Sequence, residues 1–147
     1  MNFLDKYFDE IGVGERFRSR GRTITETDIV QWCALTGDWY VLHTDAHYAA
    51  GTRFGQRIAP GLLVVAYAAG LGVPSDAPAV VANYGSNSLR FVAPTFIGDT
   101  LHLESEVLEK TVKRDGKKFC SEACADSQSS GRHVQHCPCG HSACRTA

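Results

Sequence analysis

The first half of the chain carries helical patterns separated by short polar segments. Thr25 and Asp28 form a capping-box pattern, in which a hydroxyl residue precedes a carboxylate by three positions. The segment that follows is rich in apolar residues, namely Ile29, Val30, Trp32, Cys33 and Leu35. We predict a helix over residues 26–36, with Trp32 and Cys33 packed in the core, and a short helical turn over residues 45–50.

A second helix is predicted at residues 59–71, where nearly every residue is apolar. Pro60 stands at the start of this run and Gly70 near its end, which is the punctuation typical of a helix. A helix of about 12 residues that is apolar on all sides is too short to span a bilayer. We therefore expect it to be buried in the middle of the fold.

Strand patterns dominate the region after the second helix. The predicted strands cover residues 80–82, 86–91 and 100–109, and a turn at residues 94–99 separates the last two. One face of the third strand carries Leu101, Leu103, Ser105 and Val107. Helices followed by antiparallel strands predict an α+β fold around the buried helix.

Composition and charge exclude several classes of protein. The 147 residues are 44% hydrophobic, which suffices for the core of one domain. Lys and Arg number 15 against 16 Asp and Glu, and the net charge of -1 argues against a nucleic-acid partner. No apolar run reaches the roughly 18 residues of a membrane span, and the N-terminus lacks a basic segment followed by an apolar one. We expect a cytoplasmic protein without membrane contact.

The candidate chemistry lies between the two helices, at Asp38 and His43. Five positions along an α-helix would turn these side chains about 140° apart, so a single helix cannot aim both at one substrate atom. Gly37 is expected to end the preceding helix, and an irregular segment after it can bring the two groups together. A carboxylate and an imidazole at one point suit acid and base chemistry on a water molecule. The alternatives are a helix-capping carboxylate and a structural histidine.

Gly61 is a candidate for binding a negatively charged oxygen. The first amides of a helix have no partner within it, and the helix dipole favours negative charge at that end. Because glycine has no side chain to block approach, the Gly61 N–H can donate to a ligand oxygen. The start of the second helix is therefore a candidate oxyanion hole.

Several motifs occur together in an order that resembles one known family. They are Leu35-Thr36-Gly37-Asp38, His43-Thr44-Asp45, Tyr48-Ala49-Ala50, Phe54-Gly55, Ile58-Ala59-Pro60-Gly61, Leu89-Arg90-Phe91, Pro94 and Gly98-Asp99-Thr100. Over about residues 5–118 the chain resembles the MaoC-like dehydratase family, the (R)-specific enoyl-CoA hydratases of the hotdog fold. Chance agreement at so many ordered positions is improbable.

The resemblance implies a fold, a substrate and roles for three residues. The hotdog fold is an antiparallel sheet wrapped around a central helix, paired into a homodimer that binds an acyl-CoA thioester at the subunit interface. Asp38 and His43 would activate the water that adds to a trans-2-enoyl thioester, or accept it on dehydration. Gly61 would hold the thioester carbonyl. The resemblance implies no cofactor and no metal, and a place in fatty acid metabolism.

Further candidate substrate contacts follow from the same resemblance. The family usually has Asn-Pro where this chain has Tyr40 and Val41, and Tyr40 can keep one hydrogen bond of that asparagine. Arg53, Arg57 and Arg90 are candidates for binding the phosphates of CoA, and a solvated charge is the alternative for each.

The leading function predicted from the sequence is that of a hydro-lyase acting on an enoyl-CoA thioester. One alternative is a hotdog acyl-CoA thioesterase, in which a carboxylate activates water against the thioester carbonyl itself. Another is a non-catalytic acyl-CoA binding protein or a degenerate relic.

The composition changes after residue 118. The last 28 residues hold five of the six cysteines, Cys120, Cys124, Cys137, Cys139 and Cys144, and Val134 is their one large aliphatic residue. A hotdog domain needs two valine-rich alternating strands here. We divide the chain into a hotdog domain at residues 1–118 and an atypical tail at residues 119–147, and expect the C-terminal strands to be missing or altered.

Three interpretations of the tail compete. A zinc site built from its cysteines and histidines is disfavoured, because the paired Cys-x-x-Cys spacing is absent. A disordered extension is the second interpretation. We favour a shifted reading frame, because Cys, Arg, His, Ser, Ala and Gly without aliphatic patterning are typical of GC-rich coding sequence read out of frame.

Overall fold

The elements of the fold come from a computed structural model, which describes residues 5–73, 80–86, 89–115, 117–128 and 133–144. Within these ranges the helices are α1 (Glu26–Thr36), α2 (Val41–Thr44), α3 (Ala46–Ala50) and α4 (Gly61–Leu71). The strands are β1 (Arg16–Arg18), β2 (Arg22–Thr23), β3 (Val80–Ser86), β4 (Arg90–Phe91), β5 (Thr100–Val112), β6 (Lys118–Gln128) and β7 (His133–Cys144).

Helix α1 begins and ends where the sequence predicts. The Asp28 carboxylate accepts from the Thr25 N–H at 2.7 Å, and the Thr25 hydroxyl accepts from the Asp28 N–H at 3.3 Å, which completes the capping box. Gly37 has a φ of 77°, and its N–H donates to the Cys33 carbonyl at 2.8 Å. Only a residue that tolerates a left-handed backbone ends a helix in this way, so glycine stands there.

The segment after α1 is more regular than predicted. His43 lies within the short helix α2, and not on an irregular loop, whereas Asp38 precedes that helix. The predicted turn at residues 45–50 is confirmed as α3, where the Asp45 carboxylate accepts from the Tyr48 N–H at 2.9 Å. Asp38 and His43 therefore do not share one helix. This agrees with the expectation from helix geometry that one helix could not aim both side chains at the same atom.

The strands form one antiparallel sheet in the order β1, β5, β6, β7, β3, with β2 also paired to β5 and β4 to β7. Strand β5 confirms the predicted alternation, because its inward face carries the buried residues Leu101, Leu103, Ser105 and Val107. The predicted turn before β5 is closed by Asp99, whose carboxylate accepts from the Phe96 N–H at 2.8 Å.

Helix α4 packs on the sheet with one face only. Its Leu63 and Val64 belong to a core cluster with Ile24, Ile29, Cys33, Ala59 and Leu101. Leu62, in contrast, is 57% exposed, so the prediction of a helix buried on all sides is wrong for the single chain. The sheet covers one side of the helix and leaves the other open. Among the described residues, no helix is long and apolar enough to cross a membrane.

A charged cluster fixes the relation of β2, α1 and α4. The Arg22 guanidinium donates to the Asp28 carboxylate at 2.9 Å and to the Tyr67 hydroxyl at 3.2 Å, and its carbon lies 4.7 Å from the Tyr67 ring centroid. Burial acts to raise the pKa of Asp28, but hydrogen bonds from Tyr67 and Thr25 and the charge of Arg22 outweigh it, so the pKa is lowered.

The C-terminal strands, which we expected to be missing or altered, are present, because residues 118–128 and 133–144 form β6 and β7. That they are altered stays a prediction. Strand β6 pairs with β5 from Leu101 opposite Gln128 to Val112 opposite Lys118. Pairing uses backbone N–H and C=O groups, which every non-proline residue carries, so a sheet can extend without aliphatic alternation. Cys120 is also buried, in a cluster with Phe8, Ile11 and Val107.

The origin of the tail and the division at residue 118 stay predictions. The metal site considered for the tail involves side chains beyond residue 120, which lie outside the part that the structure describes.

Candidate active site

A cavity of about 410 Å³ opens where the start of α4 faces α2 and the segment after β4. Asp38, His43 and Gly61 all line it, together with Arg53, Phe54 and residues 91–95. The walls are mainly apolar, with a few polar groups among them. The three residues singled out from the sequence therefore share one cavity, although 23 positions separate the outer two.

His43 is held by a backbone carbonyl. Its Nδ1 lies 2.8 Å from the Ile58 carbonyl oxygen, and the ring stands edge-on to Tyr40 with centroids 5.7 Å apart. A carbonyl can only accept, so Nδ1 carries the proton and donates. In the neutral ring the other nitrogen, Nε2, is then left as a hydrogen-bond acceptor.

Asp38 presents a carboxylate that no other described residue binds. Its backbone N–H donates to the Thr36 hydroxyl at 3.3 Å, but in the described ranges its carboxylate forms neither a hydrogen bond nor an ion pair. The N-cap of α2 is Tyr40, so Asp38 does not cap that helix. Two acceptors, the Asp38 carboxylate and His43 Nε2, are therefore available at one cavity. A water molecule has two O–H donors and can be held by such a pair.

Gly61 is the first residue of α4, after the N-cap residue Pro60. No acceptor for its N–H is found among the described residues, as expected for the first turn of a helix. The ring of Phe91 lies against its α-carbon, so that an ideal β-carbon at this position would come within 2.7 Å of Phe91 Cε1. A side chain at this position would therefore require the Phe91 ring to move.

Of the four predicted substrate contacts, Arg53 alone belongs to the described lining of the cavity. Arg53 lines the cavity, and its guanidinium carbon lies 4.8 Å from the centroid of the Phe54 ring. Arg57 forms an ion pair with Glu26 at 2.7 Å and has a side chain only 18% exposed. Arg90 and Tyr40 are exposed, and neither belongs to the described lining of the cavity, nor does Arg57.

The sequence analysis did not single out Phe54, Phe91 and Thr95 as lining residues. Phe91 belongs to one of the motifs that carry the family resemblance, so that motif was an available signal. Thr95 gave no signal, because its surroundings depend on backbone pairing between distant segments.

Known proteins are similar in sequence to this chain over most of its length. Residues 10–127 match the family described as MaoC like domain. Protein MaoC of Klebsiella aerogenes is 42% identical over 108 residues, which make up 74% of this chain and 32% of that protein. The chain thus spans about a third of that relative. The 3-hydroxybutyryl-CoA dehydratase of Methylorubrum extorquens is 37% identical over 109 residues, 74% of this chain and 68% of that protein.

Solved structures share the fold. The monoamine oxidase regulatory protein from Archaeoglobus fulgius has a TM-score of 0.88 at 33% identity, over 97% of this chain and 95% of that one. A protein from Mycobacterium tuberculosis with a double hotdog fold has a TM-score of 0.79 at 22% identity, over 97% of this chain and 44% of that one. The second likeness concerns the fold alone. Sequence and fold agree, and the chain belongs to the MaoC-like dehydratase family and has the hotdog fold.

Proposed function

We propose that this protein catalyses the reversible hydration of a trans-2-enoyl-CoA thioester to a 3-hydroxyacyl-CoA. Membership of the dehydratase family and similarity to the 3-hydroxybutyryl-CoA dehydratase of Methylorubrum extorquens support this reaction class. The observation that carries the proposal is the shared cavity of Asp38, His43 and Gly61. It combines two acceptors for a water molecule with the Gly61 amide, which has no acceptor among the described residues and can donate to a carbonyl oxygen.

The Gly61 N–H donates to the thioester carbonyl oxygen, where negative charge develops as the reaction proceeds. The positive end of the α4 dipole favours that charge. Asp38 and His43 accept the two O–H groups of a water placed beside C3. The water oxygen bonds to C3, and the C2–C3 π electrons move toward the carbonyl as an enolate.

The proton balance closes without any cofactor. The pair formed by Asp38 and His43 takes one proton from the water and delivers one proton to C2, so that OH and H are both added to the double bond. Dehydration follows the same steps in reverse. Water is the only co-reactant that this reaction requires.

Substrate binding is proposed to extend from the cavity to its rim. Arg53 is our candidate for binding the phosphates of CoA, and its presence in the described lining of the cavity supports this role. Roles for Tyr40, Arg57 and Arg90 stay predictions. We also propose a homodimer, because the side of α4 that carries Leu62 is apolar and is not covered by the sheet of the same chain.

The experiment is a hydration assay with crotonyl-CoA, following both the loss of enoyl absorbance and the release of free thiol. Asp38→Asn and His43→Gln are each expected to lower kcat by about 100- to 10,000-fold, the range typical for loss of a general acid or base. Asp115→Asn and His47→Gln are matched controls, because both residues are exposed and lie outside the cavity lining.

The two signals separate the candidate functions. Loss of enoyl absorbance without thiol release supports the hydratase. Thiol release in step with the loss of absorbance identifies a thioesterase and rejects the proposal, because hydrolysis of the thioester also destroys the conjugated enoyl thioester. A folded protein that gives neither signal is an acyl-CoA binding protein or a relic without catalysis.

A further inference from the structure

Thr95 carries a buried hydroxyl to which no described residue forms a hydrogen bond. The residue is only 2% exposed, and its Oγ1 has no hydrogen-bond partner in the part of the chain that the structure describes. Thr95 also lines the cavity that holds Asp38 and His43. Buried hydroxyls in folded proteins are nearly always paired, with protein, water or ligand. An unpaired hydroxyl in the wall of a cavity points to a partner that the cavity receives.

Backbone contacts connect Thr95 to the segment that holds His43. The Ala59 N–H donates to the Thr95 carbonyl at 2.8 Å, and Ile58 forms an isolated antiparallel bridge with Phe96. The Ile58 carbonyl is the group that holds His43 Nδ1. Two adjacent residues, Ile58 and Ala59, therefore bond to the imidazole of His43 and to the backbone of Thr95, respectively.

The water held by Asp38 and His43 still lacks a hydrogen-bond donor, which a threonine hydroxyl can supply. Asp38 and His43 accept both O–H groups of the water, which leaves its two lone pairs without a donor. One lone pair attacks C3, and the other can accept a hydrogen bond. A threonine hydroxyl is a donor as well as an acceptor, whereas Asp38 and neutral His43 Nε2 only accept.

We propose that the Thr95 hydroxyl donates to the oxygen that is added at C3, first in the bound water and then in the 3-hydroxyl group of the product. This inference rests on the proposed hydratase function. It makes Thr95 a positioning residue for the water and a selectivity residue for ligands that carry a 3-hydroxyl group. The thioester carbonyl, which is assigned to Gly61, is not its partner.

The test compares Thr95→Val with Thr95→Ser. Valine keeps the shape of the side chain and removes the hydroxyl, and serine keeps the hydroxyl. Thr95→Val is expected to lower kcat/KM for crotonyl-CoA by about 10- to 100-fold, the effect of one lost hydrogen bond to a charged or reacting group. Thr95→Ser is expected to retain most of the activity. The Tm of Thr95→Val should equal or exceed that of the wild type, because no described protein group loses a partner.

Ligand binding by calorimetry identifies the atom that Thr95 meets. (R)-3-hydroxybutyryl-CoA has the added oxygen, whereas butyryl-CoA has the carbonyl but no oxygen at C3. Thr95→Val should weaken binding of the hydroxy thioester by about 10-fold or more and leave butyryl-CoA binding within about 2-fold.

Equal weakening for both thioesters would show that Thr95 meets the carbonyl or the CoA portion, and would overturn the inference. Unchanged kinetics and binding in Thr95→Val would also overturn the inference. A loss of activity that parallels a fall in Tm, and that is equally large in Thr95→Ser, would overturn it as well. A wild-type protein that does not hydrate crotonyl-CoA rejects the proposed function. An active wild type with an equally active Thr95→Val variant rejects this inference alone.

Discussion

Replacing Gly61 with alanine tests how the cavity is shaped at the start of α4. The added β-carbon would lie 2.7 Å from Cε1, 2.8 Å from Cζ and 2.9 Å from Cδ1 of the Phe91 ring. Carbon atoms without a bond between them normally stay about 3.5 Å or more apart, so the ring and the helix must separate by about 0.8 Å. Phe91 is half exposed and can rotate outward, so the protein is expected to stay folded.

The magnitudes favour a loss of rate over a loss of stability. Alanine gains about 0.5 to 1 kcal/mol over glycine in a helix, and this gain offsets part of the cost of moving the ring. The free energy of unfolding should therefore change by less than about 1 kcal/mol. A displacement of about 1 Å at a reacting group lowers the rate by about 100-fold, and we expect a loss of that order in kcat for crotonyl-CoA.

The matched control is Gly70→Ala in the same helix, where no atom lies within 4 Å of an added β-carbon. This variant should gain about 0.5 to 1 kcal/mol in the free energy of unfolding, measured in urea, and keep the wild-type rate. A second comparison adds Gly61→Ala to Phe91→Ala. Without the ring, the added methyl group should lower kcat by no more than about 3-fold.

A Gly61→Ala variant with the wild-type rate would refute the reasoning, because the contact with Phe91 would then have no effect on catalysis. A loss of about 100-fold that persists in the Phe91→Ala background would refute the part assigned to the ring. In that case the methyl group would act directly on the carbonyl site.

Three further predictions concern Arg53 in the cavity lining, the charged cluster of Arg22, Asp28 and Tyr67, and the tail at residues 119–147. Arg53→Ala should raise KM for crotonyl-CoA by about 5- to 10-fold at low salt with little change in kcat. The increase in KM should shrink as added salt screens the charge. The control Arg16→Ala, on the exposed edge strand β1, should change neither KM nor kcat. The pKa of Asp28 in the folded protein is lowered from its ordinary value of 3.8. The charge of Asp28 therefore stabilises the folded protein fully above pH 3.8, and this stabilisation is lost as the pH falls through the pKa of the folded state. The urea stability of wild type should therefore exceed that of Asp28→Asn at neutral pH, and the difference should shrink in acid; a constant difference would contradict the role of the charge. Translating the gene in its other frames after the codon for Lys118 should reveal a valine-rich alternating strand pattern, and its absence would reject the frame-shift hypothesis.

The sequence by itself determined the elements whose signals are local. The hydroxyl and carboxylate at Thr25 and Asp28 fix the start of α1, and Gly37 fixes its end, because each acts within one helical turn. The apolar alternation of β5 predicts which face is buried, since the side chains of a strand point to opposite faces in turn. The ordered motifs around Asp38, His43 and Gly61 indicated the family.

Only the tertiary structure decided the contacts between distant segments. It pairs Arg57 with Glu26, packs Phe91 on Gly61 and buries the Thr95 hydroxyl away from any partner among the described residues. It also extends the sheet through β6 and β7, whose pairing uses backbone hydrogen bonds that the sequence does not signal by an aliphatic pattern. These features arise where residues far apart in the chain meet, and no local pattern of residues encodes which of them will do so.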